Sequence, residues 1–204
     1  MGNKAGFWLK YVTIHHYRQL LSSVLVVGVL LIFSIIQTPR NAEGQPMAAY
    51  CNVNNLISIR YPYDWNLGES ASTPNFIGFS APNQNANAAV YLKTVSTSPS
   101  FISAPPADQL AGGVLQYQKQ NLNNFQLLDS RPMYIGNHVL AYGMLFTYTT
   151  PNLGQMEMLQ IVTDGNYPGS YYFIISYGSP SSMFNTYQPT AMNMINTFGV
   201  ALAC

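Results

Sequence analysis

Charged side chains are scarce: Asp, Glu, Lys and Arg make up 7% of the 204 residues, against roughly 25% in an average soluble domain. Asn, Gln, Ser, Thr and Tyr supply the polarity instead, so salt should affect surface contacts weakly. Acids are missing altogether before Glu43, where Lys4, Lys10, Arg18 and Arg40 stand alone. From residue 41 onward the balance reverses. Seven acids (Glu43, Asp64, Glu69, Asp108, Asp129, Glu157 and Asp164) face Arg60, Lys93, Lys119 and Arg131, a net of −3. Scattered bases on a mildly acidic domain argue against a nucleic-acid partner, because phosphate recognition needs clustered Lys and Arg.

The residue types that carry chemistry are equally sparse. A serine hydrolase needs a nucleophile with a base beside it, and no GxSxG elbow occurs. HExxH, CxxC, a glycine-rich phosphate loop and EF-hand spacing are also absent, which removes the common zinc, nucleotide and calcium signatures. His15 and His16 lie in the basic leading segment without a third ligand nearby, and read as part of a helix flank. His138 is the one later histidine, beside a turn, and reads as a solvated side chain. Paired carboxylates stay open as an acid–base route, since folding can bring any two of the seven acids together. No catalytic residue, cofactor-binding residue or metal ligand is assigned, and the chain is expected not to be an enzyme. Sequons of the N-x-Ser/Thr type are absent as well.

There are two cysteines, Cys51 and Cys204. One precedes the first expected strand and the other follows the last expected helix. Domain termini often lie close together, and an extracytoplasmic address lets disulfides persist, so a Cys51–Cys204 bridge is expected. The alternatives are a free thiol pair, an intermolecular bridge, or lipidation of Cys51. Tyr50 argues against lipidation, since it is bulky where a lipoprotein signal has a small residue.

Against these absences stands one long apolar run. Residues 20–36 read LLSSVLVVGVLLIFSII, and seventeen helical residues at about 1.5 Å each span roughly 26 Å, near the low end of a membrane crossing. The flank at 1–19 carries Lys4, Lys10 and Arg18 with Trp8, Tyr11 and Tyr17. Positive charge sorts to the cytoplasmic side, and Trp and Tyr favour the interface. The expected topology is single-pass, with a cytoplasmic N-terminus, a lipid-embedded anchor at 20–36, a linker at 37–50 and an extracytoplasmic domain at 51–204. The other reading is a cleaved signal peptide, because Ala42 and Gly44 place small residues before Gln45. That would give a secreted domain. The long basic lead and long apolar run favour the anchor.

Beyond the linker, the stretch ISIRYPYDW at 57–65 organises the rest. Ile57, Ile59 and Tyr61 alternate with Ser58 and Arg60, the period of a two-faced strand, and Pro62 ends it. Trp65 is expected to fold back onto the core, where a large indole excludes water. The sharper reading makes it a ligand-stacking residue, so Tyr63, Asp64 and Trp65 form a candidate binding surface. Further strands are expected at 76–80 and 89–97, then a helix at 108–123 with Leu110, Val114, Tyr117 and Leu122 as its apolar stripe and several Gln outside it. Strands at 125–134, 139–149, 155–163 and 171–177 follow, joined by short turns that make antiparallel neighbours. The strand at 139–148 is apolar on both faces and should be central. A last helix at 187–198 takes Pro189 in its first turn and buries Ala191, Met194, Ile195 and Phe198. The order β-β-β-α-β-β-β-β-α predicts an α+β domain, an antiparallel sheet with helices packed on it.

The motifs YPYDW (61–65), FIGFSAP (76–82), NNFQLLDS (123–130), GNHVLAYGMLFTY (136–148), YYFIISYGSP (171–180) and YQPTAMNMINTF (187–198), in this order and spacing, resemble the PsbP-like family. The resemblance runs from about residue 55 to residue 198 and is strongest to its archaeal-type extracytoplasmic members. It implies an α-β-α sandwich around an antiparallel sheet. It also implies a binding or assembly role at membrane complexes without a general catalytic residue set. Two function classes follow. The first is an anchored accessory module that contacts another membrane or cell-surface protein. The second is a small-ligand or metal carrier, or an unrecognised enzyme, with a pocket between sheet and helix.

Overall fold

The computed structural model describes residues 45–204, apart from residues 55, 70–75, 84–85, 95–104, 137 and 165–170. The flank at 1–19 and the apolar run at 20–36 lie outside the described residues. Among the described residues no helix is long and apolar enough to cross a membrane.

Among the described residues, two antiparallel sheets and two helices make up the domain. A small sheet has the order β1-β2-β10, from β1 (Met47–Asn52), β2 (Ile57–Pro62) and β10 (Gly199–Val200). The large sheet has seven strands in the order β3-β4-β5-β9-β8-β7-β6. These are β3 (Asn66–Glu69), β4 (Phe76–Ser80), β5 (Asn87–Thr94), β6 (Asn123–Ile135), β7 (Val139–Thr150), β8 (Gly154–Thr163) and β9 (Tyr171–Pro180). Helix α1 (Ala107–Asn121) follows β5, and α2 (Phe184–Asn196) follows β9.

Alternation along the strands divides the interior in two. On one face Ile161, Phe173, Ile175 and Tyr177 join Ile57 and Ile59 of the small sheet and Ala191, Met194 and Ile195 of α2. On the other face Met144, Phe146, Val162 and Ile174 meet Ala111, Leu110, Val114 and Leu115 of α1. The helices therefore lie on opposite faces of the large sheet, and the small sheet shares the face of α2. Each fully buried Phe or Ile contributes about 1.5–3 kcal/mol through burial, so both faces are needed. The expected buried stripe of α2 is present, with Ala191, Met194, Ile195 and Phe198 all at most 2% exposed.

Several details differ from the reading of the sequence. Strand β1 begins at Met47, inside the stretch that reads as linker, because β2 offers it a complete register from Met47↔Pro62 to Asn52↔Ile57. Strands β3 and β10 have no counterpart among the expected elements. β7 is covered on both faces yet lies second from the β6 edge, while β9 is central. Helix α2 starts at Phe184, three residues earlier than expected, so Pro189 lies inside the helix beyond its first turn. Its missing N–H leaves the Asn185 carbonyl without the usual i−4 donor. In α1 the buried stripe is Ala107, Ala111, Tyr117 and Gln118. Gln118 is thus inside the interface, although the sequence pattern puts the glutamines outside.

The β6–β7 turn is seated against the end of α2. Gly136 has φ of +50°, and a Cβ there would fall onto the Phe198 carbonyl oxygen. Glycine is required at this position for both reasons. Beyond Phe198, Gly199 pairs with Ser58 and the Ala201 N–H donates to the Leu56 carbonyl at 3.2 Å. This carries the chain end alongside β1 and β2.

Candidate functional site

The candidate surface at 63–65 is built by the exit from β2. Pro62 closes the strand, and the Trp65 N–H returns to the Pro62 carbonyl at 3.0 Å, closing a tight turn. The turn is fastened to the start of the domain. The Tyr63 N–H donates to the Pro46 carbonyl at 3.1 Å, and Gln45 Nε2 donates to Asp64 Oδ1 at 2.7 Å. Tyr63 is 74% exposed, and Asp64 is also exposed. Trp65 is not part of this surface. It is 5% exposed and belongs to the core, with its ring edge-on to Tyr187 at 6.5 Å. The Tyr187 hydroxyl in turn accepts from Asn83 Nδ2 at 2.5 Å. Trp65 therefore supports the turn from beneath and is closed to a stacking ligand, because an indole enclosed by protein has no free face. The structure brings Tyr63 and Asp64 together on the outside and separates Trp65 from them.

Cys51 and Cys204 are joined in a disulfide, with Cα atoms 6.0 Å apart. That separation lies within the range such bridges require. His138 is exposed, adopts a left-handed φ of 61°, and meets the Tyr134 ring edge-on at 6.5 Å. Among the described residues no group of three or more His, Cys, Asp or Glu side chains converges as a metal site.

Two polar clusters inside the fold lie outside the candidate residues read from the sequence. Between α1 and the large sheet, Gln118 Nε2 donates to Gln160 Oε1 at 3.2 Å, and Gln160 Nε2 donates to Ser176 Oγ at 3.2 Å. Gln118 and Gln160 are 3% and 6% exposed, and Gln118 Oε1 is buried without a hydrogen-bond partner. The sequence holds only a spacing for this. Gln118 stands seven residues after Ala111, a spacing that puts the two on one helix face, but neither residue belongs to the Leu110, Val114, Tyr117, Leu122 stripe, and an amide becomes tolerable there only through its strand partners.

The second cluster lies on the other face, where α2 begins. Thr147, Glu157 and Ser179 are cross-strand neighbours on β7, β8 and β9. The Tyr177 hydroxyl donates to the Phe184 carbonyl at 2.6 Å. Burial pushes the Tyr177 phenol up, opposed by a hydrogen bond with Ser179 and assisted by the charges of Glu157 and Tyr187. Burial likewise raises the Glu157 carboxyl above its ordinary value. Nothing in the sequence around Glu157 distinguishes it from a solvated strand residue; only the register places it on the face of α2.

Neither cluster pairs a nucleophile with a base, and the fold itself is the feature that can be compared. No family model matches the chain, and no curated protein matches it. Solved structures do. PsbP of the cyanobacterium Synechocystis sp. PCC 6803 is similar at 11% identity and a TM-score of 0.56, over 84% of this chain and 98% of that one. The Saccharomyces cerevisiae Ran-binding protein Mog1p is similar at 11% identity and a TM-score of 0.50, over 77% of this chain and 96% of that one. LpqN of Mycobacterium tuberculosis, described as involved in cell envelope biogenesis, is 18% identical over 77% of this chain and 87% of that one, with a TM-score of 0.49. The identities are low and the coverage of the first two is nearly complete, and the chain accordingly has the PsbP-like fold.

Proposed function

We propose that this protein is a membrane-anchored extracytoplasmic binding or assembly module, an accessory component of a membrane or cell-surface protein complex, and not an enzyme. In this reading residues 20–36 are retained in the bilayer, the N-terminus is cytoplasmic, and the domain is of the archaeal extracytoplasmic type of the PsbP-like fold. The observation that carries the reading is the Cys51–Cys204 bridge. A bridge between the two ends of a domain suits an oxidising compartment, and the apolar run with its basic flank supplies a route there. The low charge of the domain supports recognition through tyrosine and amide groups, the chemistry of adaptable protein contacts.

Purification from native membranes in mild detergent tests the proposal. The expected result is retention after a high-salt wash, together with a stoichiometric protein partner. A mature N-terminus at Gln45 would reject the anchor, and a monomer recovered alone would reject the assembly role. The second reading, a small-ligand carrier, is favoured by one observation, the unpartnered buried acceptor of Gln118 between helix and sheet. A ligand retained by that monomer would establish it.

A further inference from the structure

The point where the chain enters the domain and the most exposed aromatic turn are one structure. Pro46 accepts from the Tyr63 N–H and Gln45 donates to Asp64, so wherever Gln45 is held, Tyr63 is held beside it. Eight residues, 37–44, separate Ile36 from Gln45. At full extension this distance cannot exceed about 30 Å. Tyr63 is 74% exposed and Leu67 is 41% exposed. Between them Trp65 is locked into the core, which gives the turn a rigid mount. No Lys or Arg occurs at 45–47 or 61–69.

We propose that Tyr63, with Leu67, seats in the interfacial layer of the bilayer, so that the domain stands with its β2–β3 end toward the membrane. The inference rests on the reading of residues 20–36 as a retained anchor. A phenol suits the interface because its ring is apolar and its hydroxyl stays wet. One aromatic contact is weak alone, but a short tether makes the encounter intramolecular, so little affinity is needed. Attraction to anionic headgroups requires Lys or Arg. This turn has none and carries Asp64, so a neutral lipid surface is the occupant that fits. Tyr134, 67% exposed, provides a built-in comparison. It precedes the turn whose Gly136 abuts Phe198, and Gly199 pairs with Ser58, so it lies toward the opposite end of β2.

The full chain, reconstituted in phosphatidylcholine vesicles, is made with the photo-crosslinker p-benzoylphenylalanine in place of Tyr63 or, separately, Tyr134. Both positions are exposed, so each replacement leaves the buried core unchanged. Mass spectrometry should find lipid adducts at position 63 and only background at position 134. The yield at 63 should not rise when part of the lipid is replaced by phosphatidylglycerol. Background adducts at 63 on a chain that resists a high-salt wash would overturn the orientation and leave the anchor standing. Adducts joining two copies through position 63 would also overturn it, in favour of self-association. A chain that washes off the vesicles would remove the anchor and this inference together.

Discussion

At the scale of single residues, the left-handed glycines separate two costs that are usually merged. Gly136 and Gly154 both have positive φ, +50° and +70°. A Cβ at Gly154 meets nothing within 4 Å, whereas one at Gly136 falls on the Phe198 carbonyl. Gly154→Ala should therefore cost only the conformational term, about 1–2 kcal/mol. Gly136→Ala adds steric displacement of the chain after α2, for about 2–4 kcal/mol in all. Urea denaturation should rank the midpoints wild type, Gly154→Ala, Gly136→Ala; equal losses would mean that the Phe198 contact yields freely. Glu157 supplies a pH-dependent counterpart. Its folded-state carboxyl is raised by desolvation, so its ionised form opposes folding, and the penalty is relieved as pH falls through the raised value toward the ordinary one of 4.5. Glu157→Gln should melt higher than wild type at pH 7, with the difference shrinking as the pH approaches 4. A gap that stays constant across that range would show that the glutamate is not penalised in the folded state.

At the scale of elements, α1 is a helix held by its interface and weakened by its own sequence. Gly112 lies in its interior and is exposed, and a methyl group added there would meet nothing within 4 Å. Gly112→Ala should therefore stabilise the protein by about 0.5–1 kcal/mol, visible as a higher urea midpoint with an unchanged slope; a loss of stability would point to a packing role. The same helix shows what was readable in advance. Its existence followed from Leu110, Val114 and Tyr117, but its true stripe includes Gln118, because the Gln160–Ser176 partners that make an amide tolerable there lie on distant strands. Likewise β6 to β9 were legible as apolar and aromatic runs of strand length separated by short turns. β1, β3 and β10 were not. Met-Ala-Ala-Tyr and Asn-Leu-Gly-Glu carry little intrinsic strand preference, and β10 exists only because Ser58 and Ile57, some 140 residues earlier, lie open beside it. Of the candidate surface, the turn at Tyr63 and Asp64 was announced by Pro62, and the return of Trp65 to the core by the apolar bulk of its indole. That this return closes Trp65 to ligands follows from the cluster of distant strand and helix side chains it joins, among which Tyr187 of α2 supplies an edge-on ring contact.

At the scale of the whole molecule, the bridge between Cys51 and Cys204 joins the first strand to the last residue across a separation of 153. What it adds can be argued from what else holds that end. β10 has two residues, and past it the Ala201 N–H to Leu56 carbonyl bond is the described polar tie. Ala201 is buried, while Leu202, Ala203 and Cys204 are exposed, so little apolar burial secures the tail. Without the bridge residues 202–204, exposed and weakly tied, should loosen first. Closing nearly the whole domain in one loop also removes unfolded-state entropy, at most about 5 kcal/mol in the chain-entropy model, with less if the reduced chain stays compact. For a domain of this size each kcal/mol moves the melting midpoint by roughly 2–4 °C. The double variant Cys51→Ser/Cys204→Ser should accordingly melt lower than the oxidised protein, by at most about 10–20 °C. Reduction of the wild type should lower its midpoint to the same value. Hydrogen exchange should quicken at Ala201 before it quickens in β8 or β9, where the core strands lie. Mass spectrometry on freshly isolated oxidised protein supplies the decisive control: two alkylatable thiols would remove the bridge, and with it the loop-closure term and the pinned chain end.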